Sequence, residues 1–327
     1  MAPKVSIIVS SYNQEAYVRE AMDSALGQTY PNIEVVATDN GSTDGTQDVF
    51  NGYRADKRVK LLFRRENGPL NTLANEATAL CCGEFISLLH GDDYYLPEKI
   101  RLQVECISRL SSEYGVVYSP NYRLNEITGE RWLEPCLNKS GYILKNLLLD
   151  TYPVGPIPIL SPLTRRACFI RYPFREEFFL EGEAIFLRMA MGYKFQFLDE
   201  PLTVMRDHLS NMGKAIRKNR DVVLPVYDKL AQESEFPREL IPALGRHMGC
   251  ILRNYGWQGI RVMEDPQWAR ECFVMALRHD KAQAFHPRTM AGLCLSALPR
   301  RLISALNRAA NRFIRHKENV VSKEGYR

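Results

Sequence analysis

Over roughly its first 120 residues the chain alternates apolar, β-branched runs with segments of helical spacing, and each run ends in polar residues. Val5–Ser10 is the first run, and Glu15–Leu26 follows with Ala16, Val18, Ala21, Met22 and Ala25 on one helical face. After the Tyr30-Pro31-Asn32 break, Ile33–Thr38 reads as a second strand, and Asp44 or Thr46 caps a short helix reaching Tyr53. Val59–Phe63 reads as a third strand, Leu70–Cys82 as a helix and Phe85–Leu89 as a fourth strand. Pro97 opens a helix over Glu98–Leu110, and Val116–Tyr118 is a fifth strand candidate. Parallel neighbours cannot be joined by a tight turn; they need a crossover of about a dozen residues or more, nearly always right-handed. The alternation therefore predicts an α/β fold with a mostly parallel sheet and helices on both faces. Ligands of such sheets lie beyond the carboxyl ends of the strands. Here those ends are Ser10-Ser11-Tyr12-Asn13, Asp39-Asn40-Gly41-Ser42 and His90-Gly91-Asp92-Asp93, three polar clusters on one edge.

From Leu124 to Thr164 the pattern is irregular and rich in proline and glycine, and reads as loops around a cleft. Gly182–Met191 is expected to be a helix and Phe195–Leu198 a strand. Beyond Lys214 helices are expected over Asp221–Gln232, Glu239–Asn254, Pro266–Arg278 and Ala291–Phe313. The chain thus divides into an α/β domain, residues 1–213, and a helical C-terminal region, residues 214–327. No fixed-period repeat is present.

With 45% hydrophobic and 25% charged residues, the chain has the composition of a globular protein. Its longest charge-free stretch, Thr151–Thr164, carries four prolines and is too short to span a bilayer. The N-terminus shows no secretion signal. None of the eight cysteines forms a C-x-x-C pair or a zinc-finger spacing, so they read as small buried hydrophobes in a reducing, cytoplasmic setting. The net charge is +5, and residues 299–327 hold eight Lys/Arg against Glu318 and Glu324. A nucleic-acid-binding surface spreads its basic residues over a folded face, so no nucleic-acid partner is expected. Leu302, Leu306, Ala309 and Phe313 share one helical face, roughly opposite Arg301, Arg308, Arg312 and Arg315. Residues 299–317 are either a surface helix of a bundle or an interfacial helix drawn to anionic lipid of the inner-membrane surface.

Asp92-Asp93 follows an apolar strand and precedes a turn into a helix. The pair is either a polar turn with an N-cap or a site for a hard divalent cation, with His90 joining as a nitrogen ligand or facing solvent. The stretch Asp39–Thr46 is either a turn with a helix cap or a strand end that reads the edge of a nucleobase. Neither G-x-x-x-x-G-K-[ST] nor G-x-G-x-x-G occurs, which removes most support for a P-loop NTPase or a dinucleotide oxidoreductase. A nucleotidyltransferase loses support for want of the same kind of loop.

The segments VSIIVSSYNQEAYVREAMDSALGQTYPNIEVVATDNGSTDGT and ENGPLNTLANEATALCCGEFISLLHGDDYYLPEKI resemble the family 2 inverting glycosyltransferases of the Rossmann-like GT-A fold. The resemblance covers about residues 4–105 almost without gaps and runs more loosely to about residue 212. It implies that Ser10, Ser11, Tyr12 and Asn13 form the first nucleotide-binding stretch, with the aromatic ring on the base. It places Asp39 and Asn40 at the base edge, Asn40 still offering a carbonyl to uracil or thymine. Asn67 and the segment after it would help shape the donor pocket. The family's metal motif falls on His90-Gly91-Asp92, with Asp92 holding Mn²⁺ or Mg²⁺, His90 tilting the choice toward Mn²⁺ if it ligates, and Asp93 orienting the turn. His208 falls on the family's histidine near metal and diphosphate. The base aspartate falls on Gly182, which leaves Glu181 or Glu183 to take the acceptor proton. The reaction implied moves a hexose from a UDP- or dTDP-sugar to a hydroxyl of a glycan or polyprenyl-linked acceptor in cell-surface polysaccharide synthesis. The alternative is a nucleotide-sugar-binding protein impaired in catalysis, for which His90 and Gly182 speak.

Overall fold

The structure, a computed structural model, describes residues 2–211 and 214–311, without the side chains of Tyr152 and Pro153. The chain forms two compact units, Met1–Ala215 with Asp221–Arg238, and Ile216–Arg220 with Glu239–Arg327.

In the first unit, β1 (Val5–Ser11) and β2 (Ile33–Asp39) are buried almost throughout, as strands covered on both faces must be. Joined by α1 (Val18–Leu26), they pair in parallel, Val5 opposite Ile33 and Ser11 opposite Asp39. Val18, Ala21, Met22 and Ala25 recur at helical spacing and are all fully buried against Val5, Ile7 and Val9. Each such aliphatic side chain contributes about 1.5–3 kcal/mol. α2 (Thr46–Asn51) leads to β3 (Val59–Phe63), which pairs with β2, and α3 (Leu70–Leu80) leads to β4 (Phe85–His90), which pairs with β1, all in parallel. β5 (Tyr94–Tyr95) and α4 (Lys99–Ser108) follow, then β6 (Tyr114–Tyr118).

Here the structure departs from the sequence reading. The segment expected to be loops, residues 124–164, holds the end of β7 (Asn121–Asn125), β8 (Arg131–Glu134), α5 (Leu144–Leu149), α6 (Thr151–Val154) and most of β9 (Leu163–Arg165). β9 inserts antiparallel between β4 and β6, and α7 (Arg166–Arg171) follows it directly. α8 (Ala184–Gly192), β10 (Lys194–Phe197) and β11 (Thr203–Asp207) complete the first unit's strands. The main sheet has the order β10-β6-β9-β4-β1-β2-β3, and a second sheet has the order β5-β11-β7-β8. That second sheet pairs Val204 with Tyr122, so no local pattern announces it.

α9 (Ile216–Leu230) follows. The second unit is built on α10 (Ile241–Arg261), α11 (Pro266–His279) and α12 (Pro287–Leu295), with Ile260, Ala269, Phe273 and Ile303 at its core. The last helix expected, Ala291–Phe313, is instead two: α12 ends at Leu295 and a new helix covers residues 300–311. Pro299 explains the break, because it lacks the N–H a continuous helix requires. Asn307 seats the new helix by donating to the Ile260 carbonyl at 2.8 Å, one of the acceptors that the end of α10 leaves open. Phe313 and the basic residues from Arg312 onward lie outside the described residues. No helix among the described residues is long and apolar enough to cross a membrane.

Candidate active site

The ends of β1, β2 and β4 are tied together by their own polar groups. The Gly91 N–H donates to the Ser10 carbonyl at 2.8 Å and the Asn40 N–H to the Ser11 carbonyl at 3.0 Å. Asn13, in the left-handed region at φ 52°, donates its N–H to Ser42 Oγ and accepts from the Thr43 N–H, both at 2.8 Å. Asparagine is among the few residues that take this conformation readily. Gly91 is required by contact: a Cβ there would lie 2.6 Å from Ser11 Oγ. Asp39 is fully buried and accepts from the Ser42 N–H at 2.9 Å and from Gln47 Nε2 at 2.6 Å. Asn40, equally buried, donates to the Gly68 carbonyl at 2.9 Å and accepts from the Gly68 N–H, while Asn67 reaches back to the Asn40 carbonyl. Asp39, Asn40 and Ser11 thus form the frame, and Tyr12, Asn13 and Asn67 are exposed at its mouth.

At the end of β4, His90, Asp92 and Asp93 offer ligand atoms that all lie within 4.8 Å of one another. His208, beyond the end of β11, places Nε2 3.1 Å from Asp92 Oδ2. Its other nitrogen lies 2.9 Å from Ser210 Oγ, and its ring stacks on Tyr17 at 4.9 Å. Such outer contacts fix an imidazole's orientation. Asp93 accepts from the Arg206 N–H at 2.7 Å. Burial, then the neighbouring Asp92, push the Asp93 carboxyl well above the ordinary carboxylate range, with Arg123 and Arg206 opposing. Burial lowers His90, favouring the neutral imidazole that can ligate, while Asp92 opposes. Two abutting carboxylates with a neutral imidazole are a donor set that fits a divalent cation.

Arg206 was not singled out by sequence reading, yet it organises this turn. Its guanidinium donates to the Asp92 carbonyl at 3.0 Å and to Glu126 at 3.1 Å, pairs with Glu20, and lies over the Tyr94 ring. The available signal was an arginine at an inward position of a strand.

The two glutamates beside Gly182 differ sharply. Glu181 is buried: its carboxylate accepts from Arg188 at 3.1 Å and from the Arg175 N–H at 3.1 Å, and its own N–H donates to Asn71 Oδ1. Burial raises its pKa against the pull of Arg188. Gly182 takes φ 58°, a left-handed conformation that suits glycine, and it swings the chain so that Glu183 remains accessible. Desolvation by the surrounding protein, then repulsion from Glu134, raise the Glu183 carboxyl to about 7, with Arg123 opposing. Arg123 pairs with Glu134 at 2.9 Å and also acts on Asp93, so it stands within electrostatic reach of both the cation cluster and Glu183. Sequence reading missed Arg123 and Glu134 because it assigned no element to residues 121–123 and read Glu134 as part of a loop.

Residues 6–168 match the family model described as Glycosyl transferase family 2. An uncharacterized glycosyltransferase of Rickettsia typhi is 40% identical over 117 residues, 36% of this chain and 36% of the relative. A putative teichuronic acid biosynthesis glycosyltransferase, TuaG of Bacillus subtilis, is 31% identical over 114 residues, 35% of this chain and 45% of the relative. The match therefore spans less than half the length of these curated relatives. Among solved structures, S. aureus TarS in complex with UDP-GlcNAc superposes with a TM-score of 0.64 at 17% identity, over 94% of this chain and 92% of that one. The mannosyltransferase PcManGT of Pyrobaculum calidifontis, in complex with GDP-Man and Mn²⁺, gives 0.59 at 16% identity, over 94% and 87%. These likenesses show a shared GT-A fold. With the family match running from β1 through the cation cluster into α7, the chain belongs to glycosyl transferase family 2.

Proposed function

We propose that the chain is an inverting, metal-dependent glycosyltransferase that moves a sugar from a UDP- or dTDP-sugar to a hydroxyl of a glycan or lipid-linked acceptor. The observation that carries this reading is the convergence of His90, Asp92, Asp93 and His208 beyond the strand ends, with Glu183 accessible and within electrostatic reach of the same Arg123 that acts on Asp93. A general base works best when its pKa lies near the working pH, and Glu181, closed in by Arg188, is withdrawn from that role.

Tyr12, Asn13 and Asn67 border the opening where a nucleoside would sit, on the frame that Ser10, Ser11, Asp39 and Asn40 hold. Asp92 with His90 and His208 would hold Mn²⁺ or Mg²⁺, and Asp93 positions the turn through Arg206. When bound, the cation supplies charge neutralisation for the departing diphosphate. Glu183 accepts the proton of the acceptor hydroxyl as that oxygen bonds to the anomeric carbon. The bond from that carbon to the diphosphate breaks on the opposite face, its electron pair leaving with the nucleotide, so configuration inverts. UDP-GlcNAc in TarS supports a uridine donor, and the naming of TuaG for teichuronic acid synthesis supports an acceptor in cell-surface polysaccharide.

The rival reading, a nucleotide-sugar binder without turnover, is favoured by Gly182 at the expected base position. Release of nucleoside diphosphate from a panel of UDP-, dTDP- and GDP-sugars with Mn²⁺ or Mg²⁺ separates the two. Turnover that vanishes in Glu183→Gln supports the enzyme; binding with no turnover of any donor supports the rival.

We also place the protein on the cytoplasmic face of the inner membrane. In the helix at residues 300–311, Ile303 and Asn307 are buried while Leu302 and Leu306 stay exposed beside Arg301 and Arg308. An apolar stripe with basic neighbours suits an anionic lipid surface. Residues 312–317 of the proposed contact lie outside the described residues. Co-sedimentation with anionic vesicles at low salt, lost on replacing both exposed leucines with aspartate, supports the placement; unchanged sedimentation removes it.

A further inference from the structure

β8 is the outer strand of the second sheet, and it carries Trp132 with 40% of its surface exposed. In its antiparallel pairing with β7, Trp132 stands directly opposite Arg123 and Glu134 opposite Asn121. Directly paired residues share a face, and residues two apart on a strand do too. Trp132, Arg123, Glu134 and Asn121 therefore lie on one face, held by Arg123 Nε to Glu134 at 2.9 Å and Asn121 Nδ2 to Glu134 at 3.1 Å. This is the face whose charges act on Glu183. The partly exposed indole thus stands beside a fixed cluster of donors and acceptors, while Arg131, Tyr122 and Leu133 sit on the other side of the sheet.

We propose that Trp132 is the stacking platform for the acceptor, and that a pyranose ring lies on its indole with a hydroxyl toward Glu183. The proposal rests on the glycosyltransferase reading above and adds the acceptor subsite to it. A pyranose presents a face of C–H bonds that matches the negative face of an aromatic ring, while its rim of hydroxyls needs polar partners. Arg123 and Glu134, both partly exposed, supply those partners beside the indole, and buried Asn121 holds Glu134 in place. The recognised class is thus a saccharide, bound by its terminal ring.

The chain has three tryptophans, Trp132, Trp257 and Trp268, so the indole N–H signal of Trp132 can be assigned in an NMR spectrum from Trp132→Phe. Trisaccharides of glucose, N-acetylglucosamine and glucuronic acid are titrated into the full chain, and UDP binding is measured separately on the same protein. At least one trisaccharide is expected to move the Trp132 signal. Its affinity should fall about tenfold in Trp132→Ala and recover largely in Trp132→Phe, with UDP binding unchanged in both. Equal saccharide affinity in Trp132→Ala, or a Trp132 signal that no saccharide moves while UDP binds, would overturn the platform. Loss of UDP binding in the unaltered chain would instead overturn the donor reading, and a saccharide shift at Trp132 would then still support the platform.

Discussion

Replacing Glu183 with glutamine separates catalysis from folding, and its neighbour Glu181 provides the contrast. With the Glu183 carboxyl raised from 4.5 to about 7, the fraction of free enzyme holding a competent base should rise as pH increases toward neutrality, so kcat/KM should climb with that acid limb. Glu183→Gln removes the base and should lower kcat by about 10²–10⁴-fold. A carboxyl raised from 4.5 to about 7 costs the folded state stability once it ionises, so above pH 7 the unfolding midpoint of Glu183→Gln should equal or exceed that of the unaltered chain. Glu134→Gln removes a repelling charge, so the midpoint of the acid limb should move to lower pH. Glu181→Gln should act oppositely to Glu183→Gln. It leaves Arg188 buried without its main partner, a loss of about 3–5 kcal/mol for a broken buried pair, eased by Glu233 at 3.2 Å from Arg188. The assay is nucleoside diphosphate release from a UDP-sugar across about pH 5–9, with urea unfolding of each variant. Full activity in Glu183→Gln, or an acid limb that does not move in Glu134→Gln, would refute the assignment.

Other perturbations test the frame around the site. Glu34 is buried under the sheet; burial alone would raise its carboxyl, but Ser6, the Cys82 N–H and Lys60 bring it from 4.5 down to about 2. A depressed folded-state pKa gives stability that is present above 4.5 and lost as pH falls toward 2, here about 3 kcal/mol. Urea midpoints of the unaltered chain and Glu34→Gln should therefore converge across that window, and parallel curves would count against it. Gly91→Ala, with a Cβ 2.6 Å from Ser11 Oγ, should cost about 1–3 kcal/mol of stability and weaken nucleotide binding, as denaturation and calorimetry would read. Asp93→Asn should reduce turnover less than Asp92→Asn, because Asp93 holds the turn through the Arg206 N–H.

The legibility of the sequence tracks the range of the interactions involved. β3 runs over Val59–Phe63 as its apolar pattern predicts, and β1, β2 and β4 extend their expected ranges by one polar residue each. Those added residues, Ser11, Asp39 and His90, are held by neighbouring strands rather than by their own propensity. The sheet of β5, β11, β7 and β8 escaped because its strands are short and polar: β7 and β8 form a hairpin without a clear apolar alternation, and β11 joins β7 across about eighty residues of chain. With it went Arg123, Glu134 and Trp132. The convergence of His208 on Asp92 is a contact over 116 residues, visible beforehand only through the resemblance of spaced motifs. The contrast between Glu181 and Glu183 could not be read from two glutamates flanking a glycine; it comes from Arg188, seven residues beyond Glu181, and from the left-handed Gly182.

The central claim is that the edge formed by Ser10–Asn13, Asp39–Ser42 and His90–Asp93 binds a nucleoside diphosphate through a divalent cation. Calorimetric titration of UDP into the full chain, with and without Mn²⁺, measures this directly. Binding should require Mn²⁺ and should weaken at least about tenfold in Asp92→Asn, whose unfolding transition should match the unaltered chain. UDP that fails to bind with any divalent cation, or that binds Asp92→Asn as tightly as the unaltered chain, would contradict the account.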